Sequence, residues 1–261
     1  MSARLSDIGV MTLAQWSSSQ SWQLELAQSR AHHTLIWTTR GQGRTLIDGQ
    51  RRGLGTHNAL WIPAGHLFAV ELGYQGTGHV VMIPAGTPLR LPEIPRHLRI
   101  RDVHVQTELS AHIENAGREQ TLERPLRADA LEAQAALMSV WLRRQIMLPE
   151  NVPAPRKAAA RLSARFCTRV AETYWSGAPM AEYATALGVT PTHLTRAVKA
   201  ATGKTAAELL TERVLFEARV LLRDTVRPAQ DIARHLGFGS AAYFTRFIQQ
   251  HTGKPPSKLR R

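Results

Sequence analysis

Apolar positions follow two regimes along the chain. Up to about residue 105 they come in short runs. Leu35-Ile36-Trp37-Thr38-Thr39 is β-branched and aromatic, ends at Gly41-Gln42-Gly43, and is followed by Arg44-Thr45-Leu46-Ile47. Asp48-Gly49 then supplies a dipeptide suited to a tight hairpin turn. Ala59-Leu60-Trp61-Ile62 and Val80-Val81-Met82-Ile83 stop at Pro63-Ala64-Gly65 and Pro84-Ala85-Gly86. Short strands punctuated this way predict a β-barrel or jelly roll. From Arg127 to Met147 the period changes. Leu131, Ala135, Met138, Leu142 and Gln145 or Ile146 fall at helical spacing, which predicts one long amphipathic helix closing this part of the chain.

Leu148-Pro149-Glu150-Asn151-Val152-Pro153-Ala154-Pro155 holds three prolines and little to bury, and reads as an extended linker. Beyond it nearly everything has helical spacing, with helices expected at about 157–176, 180–187, 191–201, 205–223, 228–235 and 240–251. The expectation is an α+β chain in two domains. Residues 1–148 form a β jelly roll with a helical segment, 149–157 a linker, and 158–261 an all-α domain.

The helical part contains a repeat. Ala184-Thr185-Ala186-Leu187-Gly188-Val189 aligns with Ala233-Arg234-His235-Leu236-Gly237-Phe238 at an offset of 49. Leu194-Thr195-Arg196 aligns with Phe244-Thr245-Arg246, and Thr202-Gly203-Lys204 with Thr252-Gly253-Lys254, both at 50. Each copy reads as a helix-turn-helix. A small residue lets two helices cross closely, Leu-Gly ends the first helix, and Thr190 or Ser240 offers an N-cap oxygen for the second. Pro191 suits the first helical position. The two units lie at about 180–201 and 229–251. Their second helices carry Thr192, Thr195, Arg196 and Lys199, and Ala241, Ala242, Thr245 and Arg246, on the outer face, as suits a major groove.

Charge sharpens this picture. The net of +13 is lopsided: residues 151–261 hold 18 Lys+Arg against 7 Asp+Glu, whereas residues 1–150 hold 15 against 13. The excess favours a polyanion as partner for the helical part. One cysteine, Cys167, excludes an intrachain disulfide and fits a reducing cytoplasm. Residues 1–10 lack the apolar core of a signal peptide, and no run approaches the ~18 apolar residues of a membrane helix. No membrane partner is expected.

These residues resemble the AraC-type bacterial transcription regulators over about 160–261. The second copy carries most of the likeness: Ile232-Ala233, Leu236-Gly237-Phe238, Ser240, Tyr243-Phe244, Arg246-Phe247 and Thr252-Gly253-Lys254-Pro255-Pro256-Ser257. Gly41-x-Gly43, Asp48-Gly49 and Trp61-Ile62-Pro63-Ala64-Gly65 are the corresponding pieces of a cupin-like N-terminal domain. The resemblance implies a regulator whose N-terminal domain senses a small molecule or partner and dimerises through its helical segment. Its partners would be double-stranded DNA and RNA polymerase. It places base-reading positions at Thr192, Thr195 and Arg196, and at Ala241, Ala242, Tyr243, Thr245 and Arg246. Lys199 and Ser240 complete the candidate DNA-binding set. Arginine can read guanine bidentately, or hold phosphate and only position the protein. Ala241-Ala242 lacks polar reach, so the second unit would read shape and backbone. Leu131, Met138 and Leu142 would form either a cover for the barrel or an antiparallel seam with a second subunit.

The N-terminal domain leaves choices open. Trp37 and Trp61 would line a ligand pocket with His33, Arg40 or His66 at its mouth, or simply fill the core. His32-His33 invites comparison with a metal-binding cupin. No glutamate follows within six residues, and Phe68 stands where a later histidine belongs, so no metal or cofactor is expected. No Ser/His/Asp set, P-loop or dinucleotide fingerprint is present, and the chain is not expected to be an enzyme. Two alternatives remain: a metal-dependent cupin enzyme with a helical appendage, and a non-specific architectural DNA binder.

Overall fold

The structure, a computed structural model, describes residues 8–18, 20–73, 75–122 and 124–260. Residues 1–7, part of the stretch read as lacking a signal peptide, lie outside the described residues. The elements run β1 (Gly9–Thr12), α1 (Leu13–Trp16), α2 (Trp22–Glu25), β2 (His32–Arg40), β3 (Gly43–Ile47), β4 (Gln50–Leu54), β5 (Asn58–Ile62), β6 (Phe68–Leu72), β7 (Thr77–Pro84) and β8 (Arg96–Arg99). The helices α3 (Val103–Thr121), α4 (Arg127–Met147), α5 (Ala158–Thr173), α6 (Met180–Ala186), α7 (Pro191–Thr202), α8 (Ala206–Asp224), α9 (Ala229–His235) and α10 (Ala241–Thr252) follow.

Two antiparallel sheets form the N-terminal region, ordered β1-β7-β2-β5-β8 and β4-β3-β6. Asp48 and Gly49 both take positive φ, at 55° and 67°, and close the β3–β4 hairpin as their types predict. Strand alternation sends each sheet's side chains to two faces. Ile36, Leu60, Val80, Ile47, Leu54, Phe68 and Val70 fill the space between the sheets. Leu35, Trp37, Ala59, Trp61, Val81 and Ile83 face the other way, onto α3 and α4.

The α3 helix is absent from the sequence reading, which left residues between the last strand and Arg127 unassigned. Asp102 caps it, accepting from the backbone N–H groups of His104 and Val105, and Leu109, Ile113 and Ala116 are buried. Of the two roles open to the apolar stripe of α4, the structure shows the cover. Leu131, Met138 and Leu142 are at most 4% exposed and belong to the chain's own core beneath the larger sheet. A second subunit cannot reach them.

The outer face of the smaller sheet is also covered. Leu46 and Ala69, with Leu67 and Ala27, share one apolar cluster with Leu162, Phe166, Val170, Leu194, Val198 and Leu209. The molecule is therefore layered: α3/α4, five strands, three strands, then α5, α7 and α8. Polar contacts tie the last two layers. Ser163 Oγ donates to Gly49 C=O at 2.7 Å, Arg213 Nε to Ser29 Oγ at 3.1 Å, and Ala27 N–H to Glu212 at 3.2 Å. The Arg219 guanidinium lies 4.1 Å from the ring centre of Trp22, and that of Arg30 4.7 Å from Phe216. Between α4 and α5 the chain is not a free tether. It makes a 3-10 turn at Pro149–Asn151, and Arg156 pairs with Asp48 of the hairpin.

Among the described residues no helix is long and apolar enough to cross a membrane.

Candidate nucleic-acid interface

The two repeat copies fold into two matching helix-turn-helix units. The first helices, α6 and α9, have 7 residues each, and the second helices, α7 and α10, have 12 each. The aligned glycines Gly188 and Gly237 stand at φ 73° and 74°, a left-handed conformation that ends a helix sharply. Beyond them the N–H of Val189 bonds Ala184 C=O at 3.0 Å, and that of Phe238 bonds Ala233 C=O at 2.9 Å. Thr190 Oγ1 then accepts from His193 N–H at 3.2 Å, and Ser240 Oγ from Tyr243 N–H at 3.1 Å. Each bond satisfies an N–H that the first turn of a helix leaves without a partner.

The Thr-Gly-Lys repeat builds the other end. Thr202 Oγ1 donates to Val198 C=O at 2.8 Å and accepts from Lys204 N–H at 3.1 Å. Thr252 does the same with Ile248, at 2.7 Å, and Lys254, at 3.2 Å. Gly203 and Gly253 take φ 79° and 70° between them.

Both second helices show one pattern of exposure. Leu194 and Val198 in α7, and Phe244 and Ile248 in α10, are fully buried. Thr192, Arg196 and Lys199 are exposed and Thr195 is half-buried. Ala241, Ala242, Tyr243 and Arg246 are exposed and Thr245 is half-buried, its hydroxyl donating to Ala241 C=O at 2.9 Å. Ser240, by contrast, holds the N-cap. Tyr243 lies with its ring centre 5.7 Å from that of Phe238, which also packs on Phe244 and Phe247. The aromatic cluster thus props an exposed tyrosine at the start of the helix.

Electrostatics distinguish these faces from the rest of the helical region. Its carboxylates are mostly engaged within it: Glu212 with Lys204, Glu217 with Arg213, Asp224 with Arg223 and Asp231 with Arg234. Glu208 completes the capping box of α8, and the Thr205 N–H bonded to it lowers its pKa. Among the described residues Arg196, Lys199 and Arg246 make no ion pair. Two further cations went unread in the sequence. Arg161 and Arg165 of α5 line a groove of about 590 Å³ together with His193 and Arg196 of α7. Their signal was available: Leu162, Phe166 and Val170 mark the buried stripe of α5 and leave these arginines on the other side.

The five candidate ligand residues do not converge. Trp37 and Trp61 are 1% exposed and face α3 and α4 instead of the space between the sheets. Their indole N–H groups are satisfied, Trp37 by Ser110 Oγ at 3.1 Å and Trp61 by Pro92 C=O at 2.8 Å. His33 stacks on Trp61, and its Nδ1 accepts from Ala64 N–H at 3.1 Å. His66 lies beside Ala64 C=O, but Arg40, at the opposite end of β2 from His33, bonds Gln75 on the surface at 3.2 Å. Seven residue steps along the strand separate the two by about 23 Å, so one mouth cannot hold both. Adjacent positions on β2 also send His32 and His33 to opposite faces, which prevents their sharing an ion. Among the described residues no group of three or more His, Cys, Asp or Glu is placed to hold a metal. Burial pushes the Cys167 thiol up to about 12, leaving it an inert core residue.

Residues 183–261 match the family model described as a helix-turn-helix domain. The match starts within α6 and spans both turns. The helical region thus contains a helix-turn-helix domain, built from two helix-turn-helix units. Among solved structures, ToxT from Vibrio cholerae, in its unsaturated fatty acid-bound form, is similar at 11% identity and a TM-score of 0.45, over 96% of this chain and 93% of that one. The C-terminal domain of AraT from Geobacillus stearothermophilus is 23% identical over 40% of this chain and 86% of its own, with a TM-score of 0.37. A Chromobacterium violaceum transcriptional regulator with an AraC-type DNA-binding domain is 23% identical over 37% and 90%, with a TM-score of 0.32. None of these three reaches a TM-score of 0.5. Among curated proteins none matches the chain.

Proposed function

We propose that this chain is a sequence-specific transcription regulator that reads a bipartite DNA site with α7 and α10, and whose N-terminal region responds to a small molecule or partner. The carrying observation is the duplicated outer face: two second helices with the same caps and the same exposure, each presenting an unpaired arginine at the same position. Arg196 and Arg246 would read or clamp the two half-sites, with Thr192, Thr195, Lys199, Ala241, Ala242, Tyr243 and Thr245 beside them. Arg161 and Arg165 extend the first half-site contact toward the phosphates. RNA polymerase is the expected partner downstream. A homodimer formed through α4 would have to use Leu137 and Val140, which remain exposed, since the expected stripe is covered.

One observation favours a second reading. Ala241 and Ala242 offer no hydrogen bonds to base edges, and a non-specific architectural binder would need none. Titration of the full chain onto fluorescent duplexes separates the two. A specific regulator holds one sequence at least about 10³-fold more tightly than scrambled DNA of equal length at physiological salt. Equal affinity for both duplexes, falling steeply with salt, would refute the regulator.

A further inference from the structure

The open edge between the two sheets forms a cleft of about 950 Å³, within the size of small-molecule sites. Its walls are β4, β8, the 150–157 segment, the start of α5, and Ala200-Ala201 at the end of α7. Six cations line it: Arg52, Arg96, Arg99, Arg101, Arg156 and Lys157. Among the described residues two carboxylates do, Asp48 and Glu150, and Asp48 is already paired with Arg156. The buried Nε atoms of Arg52 and Arg96 make no hydrogen bond. A buried donor without an acceptor is destabilising, and so are like charges crowded behind a low-dielectric wall. The positive field is felt at His97, which burial and the neighbouring Arg52 and Arg99 hold at about 4. Arg156 serves the fold through Asp48, but among the described residues no ion pair holds Arg52, Arg96, Arg99, Arg101 or Lys157. An anion in the cleft would relieve the repulsion among these guanidinium groups.

We propose that this cleft binds a compact small molecule carrying at least two carboxylate or phosphate groups, held by Arg52, Arg96, Arg99 and Arg101. Occupancy would tie β4 and β8 to the segment entering α5 and to the end of α7. The binding site stands without the DNA-binding reading; its regulatory consequence, a shift in DNA affinity, rests on it.

The test uses the full chain without DNA, by calorimetry and thermal melting at about 0.15 M ionic strength. Citrate and inorganic pyrophosphate are the probes, with sodium chloride of equal ionic strength as reference. At least one probe should bind with a Kd of about 1 mM or below and raise the melting temperature, and the better probe assigns carboxylate or phosphate. The double variant Arg52→Gln/Arg99→Gln should weaken that binding at least about tenfold, while melting no lower than the wild type because repulsion is removed. Arg118→Gln, on α3, should change neither. Should the double variant melt lower, Arg101→Gln on the exposed rim gives the reading, with binding weakened about threefold. The proposal is overturned if neither probe exceeds chloride, or if the cleft variants bind as the wild type does. It is equally overturned if those variants lose DNA affinity while both probes do nothing, which would assign the arginines to the DNA backbone. Anion binding that persists in a protein unable to select a DNA sequence would refute the regulator and leave the cleft standing.

Discussion

Gly177 and Gly237 meet backbone against backbone. Gly177 ends the turn after α5 at φ 69°, and a Cβ added there would lie 2.4 Å from Gly237 O. A Cβ on Gly237 would lie 2.4 Å from Gly177 N. The contact locks the lead-in of the first helix-turn-helix to the turn of the second. Tyr174 acts beside it: its ring packs on both helical clusters and lies 3.6 Å beneath the Arg213 guanidinium. The spacing of the two reading helices is therefore set by packed backbone, as well as by the length of α8.

Gly237→Ala should destabilise the protein by more than the about 1–2 kcal/mol that a left-handed alanine costs, because backbone must also move. Gly188→Ala is the internal control. It has the same positive φ but nothing within 4 Å of its new Cβ, so only the conformational cost applies. Urea denaturation of both variants checks this, and equal losses would mean that the glycine contact does not hold the units together.

Thr190→Ala and Ser240→Ala should each cost about 1 kcal/mol through loss of an N-cap. Serine at 190 or threonine at 240 should restore most of it. The measurement is again the denaturation midpoint, and a neutral alanine variant would show that these caps form no net stabilising bond.

Much of this architecture is legible in single residues. The Leu-Gly and Thr-Gly-Lys repeats signal their turns because left-handed glycine and a threonine capping bond are local devices, complete within a few positions. Asp48-Gly49 works the same way. The face of a strand is not local. Alternation puts Trp37 and Trp61 together, but says nothing of whether the second sheet or a helix covers them; here it is α4 and, before it in the chain, α3. That helix itself is hard to read, because only Leu109, Ile113 and Ala116 are buried in a segment otherwise rich in polar residues. Contacts such as Arg219 over Trp22 join residues almost two hundred positions apart and follow no spacing rule. The cleft arginines lie scattered over β4, β8 and the 150–157 segment, and only the folded chain brings them together.

Stability should fall in mild acid. Burial and nearby cations hold His32 and His97 at about 4, below the ordinary 6.5. Above 6.5 both are neutral whether the chain is folded or unfolded. Between 6.5 and about 4 the unfolded chain takes up protons that the folded chain refuses, and stability is lost over that window. The urea midpoint should be lower at about pH 5 than at about pH 7.5, with the difference reduced in His97→Gln. Equal midpoints at the two pH values would contradict these assignments.

Arg196→Ala and Arg246→Ala should part from Lys199→Ala in DNA binding. If the arginines contact bases, each loss costs about 1–3 kcal/mol on the preferred sequence and relaxes selection at one position. Lys199→Ala should weaken all sequences alike and lower the salt dependence by about one counterion. A uniform loss for all three variants would place the arginines on phosphate.

The central claim is that α7 and α10 read one bipartite site. The direct measurement is to equilibrate the full chain with fragmented genomic DNA of its source at near-physiological salt and sequence what is retained. The account predicts a few enriched intergenic sites sharing a motif of two short elements about one helical turn, ~34 Å, apart. Flat retention across the genome, or a single element with no partner at that spacing, would contradict it.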